Sequence, residues 1–242
     1  MQAFFKHWKD ELKENRLPNN QSLEKLRHTT KLTNIKFKDS RTLYKENDIE
    51  LDLCGIIKGY AVDQIFEYIT SLGFKDVMVS WSGETRSVGY AKNQKPFNIG
   101  LQGDIRIPTP HHVYAIICDA NDSAIATSGD SEHLWPYYGE DGIDYYTHTV
   151  HPHSLRLKKV TNSSVNLSVC QSASCMISDI IATCSVLIDD DTEFDLWLND
   201  LRVEFPDIQV LRFSRTKTPQ VDLSPRSSLE KYNENIIQSY AS

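Results

Sequence analysis

The stretch from Leu51 to Glu84, LDLCGIIKGYAVDQIFEYITSLGFKDVMVSWSGE, changes its hydrophobic period twice. A short apolar strand, ELDLCG, runs into a turn bounded by Gly55 and Gly59. Ala61, Ile65, Ile69 and Leu72 then recur at helical spacing, which predicts an amphipathic helix with that stripe turned inward. Gly73 supplies the stop. Asp76 to Ser80 reads as a buried strand that empties into the polar turn Ser80-Trp81-Ser82-Gly83-Glu84. Taken alone, this αβ unit suggests a doubly wound parallel sheet.

The flanking sequence extends the pattern. Phe4, Phe5, Trp8 and Leu12 have helical spacing and end at the polar break ENRLPNN. Ser22 to His28 predicts a second short helix, and LTNIKFKD a strand. Further strands are expected at Phe97 to Leu101, His112 to Ala120 and Thr161 to Val169. Thr127 to His133 and the histidine-rich THTVHPH at Thr147 to His153 read as polar loops. A helix from about Ala173 carries Ile177, Ile180, Ile181, Cys184 and Leu187 as its apolar stripe. Asp179 and Thr183 lie off it and, four residues apart, share one face. A last helix, a turn at Pro206 and a strand lead to a polar tail from about Thr216, with a weak helix near Leu229 to Ile237.

The 242 residues, 40% hydrophobic, can bury a sizeable core. A net charge of -7, from 26 basic and 33 acidic residues, argues against a nucleic-acid surface. The run Arg156-Leu157-Lys158-Lys159 is read as a solvated strand edge. No apolar run is long enough for a membrane span, and the N-terminus lacks the apolar core of a signal peptide, so a cytoplasmic place is expected. The five cysteines are scattered, as reduced thiols are.

Three stretches could carry chemistry. The turn GIIKGYA could set N–H groups and the Lys58 ammonium around a phosphate, or Lys58 could be a solvated helix flank. Asp179 and Thr183 offer hard oxygens suited to Mg2+, or form a polar helix face. HxxHxH at His148, His151 and His153 could be a metal site or a loop.

Taken in order, these pieces resemble the FAD:protein FMN transferase (ApbE) family. Asp52, Gly55, Ile56, Lys58, Gly59, Tyr60, Ala61, Val62 and Asp63 match its D-L-G-G-I-A-K-G-Y-A-V-D block. Ala126 to Asp130 match A-T-S-G-D, and Asp179, Ala182 and Thr183 match A-D-A-x-A-T. His148 falls on the histidine of H-x-x-D-P-x-T-G, with His151 in place of the aspartate. Cys54, Ser80, Ser82 and Glu84 also depart from the family pattern, Glu84 replacing an Asp.

The resemblance implies a mixed α/β (α+β) domain, with an antiparallel-rich sheet and flanking helices, over residues 1–215. It also implies that the family's N-terminal segment is missing and that 216–242 form a tail. The implied activity is transfer of FMN from FAD to a Ser or Thr of a target flavoprotein, with release of AMP. Asp179, Thr183 and the main-chain oxygen of Ile57 would hold Mg2+, and His148 would be the base. Lys58, Gly59, Ser128, Gly129 and Asp130 would contact the dinucleotide. The alternatives are an FAD pyrophosphatase with water as acceptor, a related binding or interaction module without catalysis, and a hydrolase using Ser128 and His148.

Overall fold

The structure, a computed structural model, describes residues 2–27, 31–46, 49, 51–99, 118–119, 122–129, 134–161, 164–214 and 220–222. In chain order the elements are α1 (Gln2–Lys13), α2 (Asn20–Leu26), β1 (Ile35–Phe37), β2 (Leu43–Lys45), α3 (Ile57–Ser71), β3 (Val77–Trp81), β4 (Glu84–Val88), β5 (Asn98–Ile99) and β6 (Cys118–Asp119). They continue with β7 (Ser123–Gly129), β8 (Leu134–Gly139), β9 (Gly142–His151), β10 (Arg156–Lys159), β11 (Val165–Ser172), α4 (Cys175–Ser185), α5 (Asp191–Glu204), β12 (Gln209–Ser214) and β13 (Gln220–Asp222). Asp130, most of the strand expected at His112 to Ala120, and the tail helix at Leu229 to Ile237 lie outside the described residues. The chain divides into two compact units, Met1–Leu53 with His133–Thr161, and Cys54–Glu132 with Asn162–Ser242.

In the first unit, Phe4, Trp8 and Leu12 point one face of α1 into an apolar cluster with Leu23, Tyr146, Val150, Leu155 and Leu157. The Trp8 indole N–H donates to the Leu155 carbonyl at 3.1 Å, satisfying its polar atom in the core. Beside it lies a three-stranded antiparallel sheet in the order β10-β9-β8. The THTV portion of the expected loop is part of strand β9, because it pairs with β8 at Thr147 and with β10 at Val150, and Val150 is buried on the same face as Tyr146, four residues before it. The basic run forms the edge strand β10; Arg156 and Lys159 are exposed as expected, but Lys158 is buried.

The second unit is built on a six-stranded sheet, β13-β12-β11-β7-β4-β3, in which every neighbouring pair is antiparallel. The parallel reading of the αβ unit therefore fails, and the mixed, antiparallel-rich one holds. The reason is local: β3 does not cross over but turns back at Ser82-Gly83, where φ is 53° and 106°. Two positive φ angles match the twist of a tight hairpin. As the edge strand, β3 buries Val77 but leaves Met78 and Trp81 about half exposed. Leu51, Asp52 and Leu53 form no strand, and Thr127-Ser128-Gly129, read as a loop, ends the central strand β7.

The period of α3 is as expected, but its phase is not. Gly59, Val62, Asp63 and Phe66 are the buried face, whereas Ile65 and Leu72 are exposed. What selects this face is close packing on α4. A Cβ on Gly59 would stand 2.4 Å from the Cys175 carbonyl oxygen and 2.8 Å from the Met176 Cα, so only glycine lets the helices approach. The same packing buries Ser178, Asp179 and Ala182 of α4 along with Ile181, while Cys184, placed on the expected stripe, is exposed. On its other side α4 meets β7, β11 and the cluster of Cys170, Phe194, Leu198, Ile208 and Val210.

Candidate functional site

Asp63, one turn beyond Gly59, caps α4 from outside that helix. Its Oδ1 accepts from the Cys175 N–H at 2.9 Å and from Arg86 Nη1 at 2.7 Å. Its Oδ2 accepts from the Met176 N–H at 3.0 Å and the Ser174 hydroxyl at 2.8 Å. A carboxylate on the first N–H groups of a helix satisfies orphan donors and opposes the helix dipole. Sequence reading matched Asp63 to a motif but gave it no role. The available signal was its place four residues after Gly59, on one helix face.

With α4 fixed, its second turn meets the turn before α3. Asp179 is buried, and its Oδ2 accepts from the Gly59 N–H at 3.1 Å. Thr183 lies against Gly55, where a Cβ would be 3.5 Å from Thr183 Oγ1. Thr183 Oγ1 is also 2.9 Å from the Ser128 hydroxyl at the end of β7. When Thr183 is the donor in that pair, its lone pairs stay open to a cation. Asp179, Thr183, Lys58, Gly59 and Ser128 thus converge around the α3 turn, and Ile57 opens that helix with its side chain exposed. Gly129 closes β7 next to Ser128.

The residue that sequence reading passed over is Glu84, which appeared there only as a replacement. It opens β4 and is 0% exposed. Its Oε1 accepts from the Lys58 ammonium at 2.6 Å, and its Oε2 is buried without a hydrogen-bond partner. Burial raises its carboxyl pKa to about 7; Lys58 opposes the shift and the Asp179 charge adds to it. Burial also raises Asp179, against the Gly59 N–H and Lys58.

A pH dependence follows. Between its ordinary value of 4.5 and about 7, Glu84 holds more proton in the folded than in the unfolded chain. Its contribution to stability is complete below that window and is lost as pH rises through it. Without divalent cations, Glu84→Gln should melt close to the parent at pH 5 and above it at pH 8, by roughly 2–3 kcal/mol. Thermal melts from pH 5 to 8 check this; parallel curves would mean that Glu84 does not hold the proton.

His148 belongs to the first unit, exposed on β9 between the buried Thr147 and Val150. His151 Nδ1 accepts from the Ser154 N–H at 3.4 Å, and the His153 carbonyl accepts from Arg27 at 3.1 Å. Among the described residues, no group of three or more His, Cys, Asp or Glu side chains could hold a metal ion. HxxHxH therefore forms no such cluster. The Asp179 and Thr183 side chains instead offer a carboxylate and a hydroxyl, oxygens that suit a hard cation. The orphaned Glu84 oxygen and the raised Asp179 carboxyl show that negative charge there is under-compensated, which fits such an ion. Among the described residues, no helix is long and apolar enough to cross a membrane.

Known proteins share this arrangement of elements. The FAD:protein FMN transferase of Vibrio cholerae is 30% identical over 168 residues, 69% of this chain and 47% of that protein. The FAD:protein FMN transferase of Chlamydia pneumoniae is 28% identical over 163 residues, 67% of this chain and 47% of that protein. The chain thus spans about half the length of these curated relatives. The solved flavin transferase ApbE of Vibrio cholerae matches with a TM-score of 0.66 at 25% identity, over 89% of this chain and 63% of that one. The ApbE protein of Thermotoga maritima shares the fold, with a TM-score of 0.65 at 21% identity, over 86% of this chain and 62% of that one. The family model described as the ApbE family matches residues 1–204, the span that holds both the α3–α4 packing and the turn around Asp179, and the chain belongs to that family.

Proposed function

We propose that this chain carries out Mg2+-dependent transfer of FMN from FAD to a Ser or Thr of a target flavoprotein, releasing AMP. The observation that carries the reading is the convergence of Asp179, Thr183, Ser128 and Lys58 around one helix-opening turn. Asp179, Thr183 and the main-chain oxygen of Ile57 would hold Mg2+. That ion, when bound, neutralises pyrophosphate charge and orients the leaving group.

The chain's own residues do the rest. The Gly59 N–H fixes the Asp179 carboxylate, and Ser128 orients the Thr183 hydroxyl. Lys58, whose side chain is 31% exposed, presents a cation to the dinucleotide, with Ser128, Gly129 and Asp130 as further contacts. In the transfer, the acceptor hydroxyl oxygen forms a bond to the FMN phosphorus. The bond from that phosphorus to the bridging oxygen breaks, and AMP leaves with that oxygen. His148 takes the hydroxyl proton, a task for a side chain that titrates near neutral pH.

The test incubates the protein with FAD and Mg2+, with and without a flavoprotein acceptor, and follows AMP and covalent flavin fluorescence. AMP with a labelled acceptor supports transfer, and loss of labelling in His148→Ala supports the base. AMP formed equally with and without acceptor, and no labelling, would replace transfer by FAD hydrolysis. Absence of both AMP and FAD binding would overturn the reading.

A further inference from the structure

The inference rests on the cation site of the transferase reading and concerns Glu84. Around the α3 turn, two buried carboxylates, Glu84 and Asp179, face one ammonium, that of Lys58. The nearby Asp63 carboxylate does not share in this balance, because it is paired with Arg86 and accepts from the first N–H groups of α4. Lys58 occupies only Oε1 of Glu84; Oε2 stays sealed from solvent with no partner. A buried carboxylate oxygen without a donor or a cation is a poor resting arrangement. The Ser82-Gly83 turn holds it there: a Cβ on Gly83 would stand 2.8 Å from Thr127 Oγ1, so the turn lies tightly against β7, the strand that also carries Ser128.

We infer that Glu84 is a further ligand of the divalent cation, its unpartnered Oε2 joining Asp179 and Thr183, so that one ion balances the charge that Lys58 leaves over. Lys58 then competes with the ion for the same carboxylate. The role belongs to this chain's glutamate, which reaches one methylene further than the aspartate it replaces.

Mn2+ is the probe, followed by the loss of its free-ion electron paramagnetic resonance signal on binding to the whole chain, with thermal melts to confirm folding. The parent should bind one Mn2+ that Mg2+ displaces. Glu84→Gln should weaken binding by about 10- to 100-fold. Glu84→Asp, which keeps the charge, should fall between the two, and Lys58→Met should bind as tightly as the parent or more tightly.

Glu84→Gln within about twofold of the parent, with Asp179→Asn unable to bind, would overturn the inference and leave the transferase reading intact. Equal losses in Glu84→Gln and Lys58→Met would also overturn it, since Glu84 would then act only by holding Lys58. A parent that binds no Mn2+ would overturn both the inference and the cation site on which it rests.

Discussion

Asp179→Asn should lower AMP release from FAD by about 10²- to 10³-fold while leaving the fold in place. That is the range for removing one preorganised electrostatic group from a reacting centre. Asparagine keeps the size and one acceptor oxygen, so the Gly59 N–H can remain bonded. What disappears is the charge. Burial already raises the Asp179 carboxyl, so its ionisation opposes folding when no cation is bound. Because that pKa is raised, the group's stability contribution is present at low pH and lost as pH rises through its folded value. The metal-free variant should therefore melt no lower than the parent at pH 7.5. Chromatography of AMP together with thermal melts decides the matter: parent-level AMP release from Asp179→Asn would take the carboxylate out of the reaction.

Asp63→Ala should lose about 3–5 kcal/mol, the range for breaking a buried charge pair by removing one partner. The substitution strands Arg86 beside its weaker partner Glu67 at 3.4 Å. It also removes the acceptor for the Cys175 and Met176 N–H groups and for the Ser174 hydroxyl. At roughly 2–4 °C per kcal/mol for a chain of this size, the melting temperature should fall on the order of 10 °C. Asp63→Asn should recover part of that, since one oxygen still accepts while its NH₂ faces donors. A drop of only 1–2 °C in Asp63→Ala would mean that Ser174 caps α4 without help. Because the cap sets where α4 begins, cation affinity should fall along with stability.

Local periodicity was a good guide where a segment had one covered face. The α1 stripe is the case: Phe4, Trp8 and Leu12 are buried as their spacing predicts. It misled wherever an element is covered on more than one side. In α4 the polar Ser178 is buried because its hydroxyl reaches the Ala124 carbonyl at 3.3 Å and Ser172, bonds that hydropathy does not register. In α3 the stripe with Ile65 and Leu72 lost to the face that carries Gly59 and Asp63 together with Val62 and Phe66. Close backbone approach and helix capping outweighed the area that Ile65 and Leu72 could bury. Ser128 sits in a strand because its pairing partner, Ser168, comes from a distant segment, whereas the strand of His148 pairs with the neighbouring β8 and β10; a polar window states neither partner.

By itself, then, the sequence determined the family, the order of its motifs and the chemical groups on offer: an ammonium, a carboxylate, a hydroxyl and an imidazole. Only the tertiary structure decided which of them meet. The Lys58–Glu84 pair spans 26 positions, the Gly59–Asp179 bond 120 and the Ser128–Thr183 contact 55. Separations of that kind are closed by the α3–α4 approach at Gly59 and by the antiparallel return at Ser82-Gly83. Whether a charged group ends up buried, and how far its pKa moves, depends on what packs around it, and this is why Glu84 reads as an ordinary replacement in the sequence and as an under-compensated carboxylate in the fold.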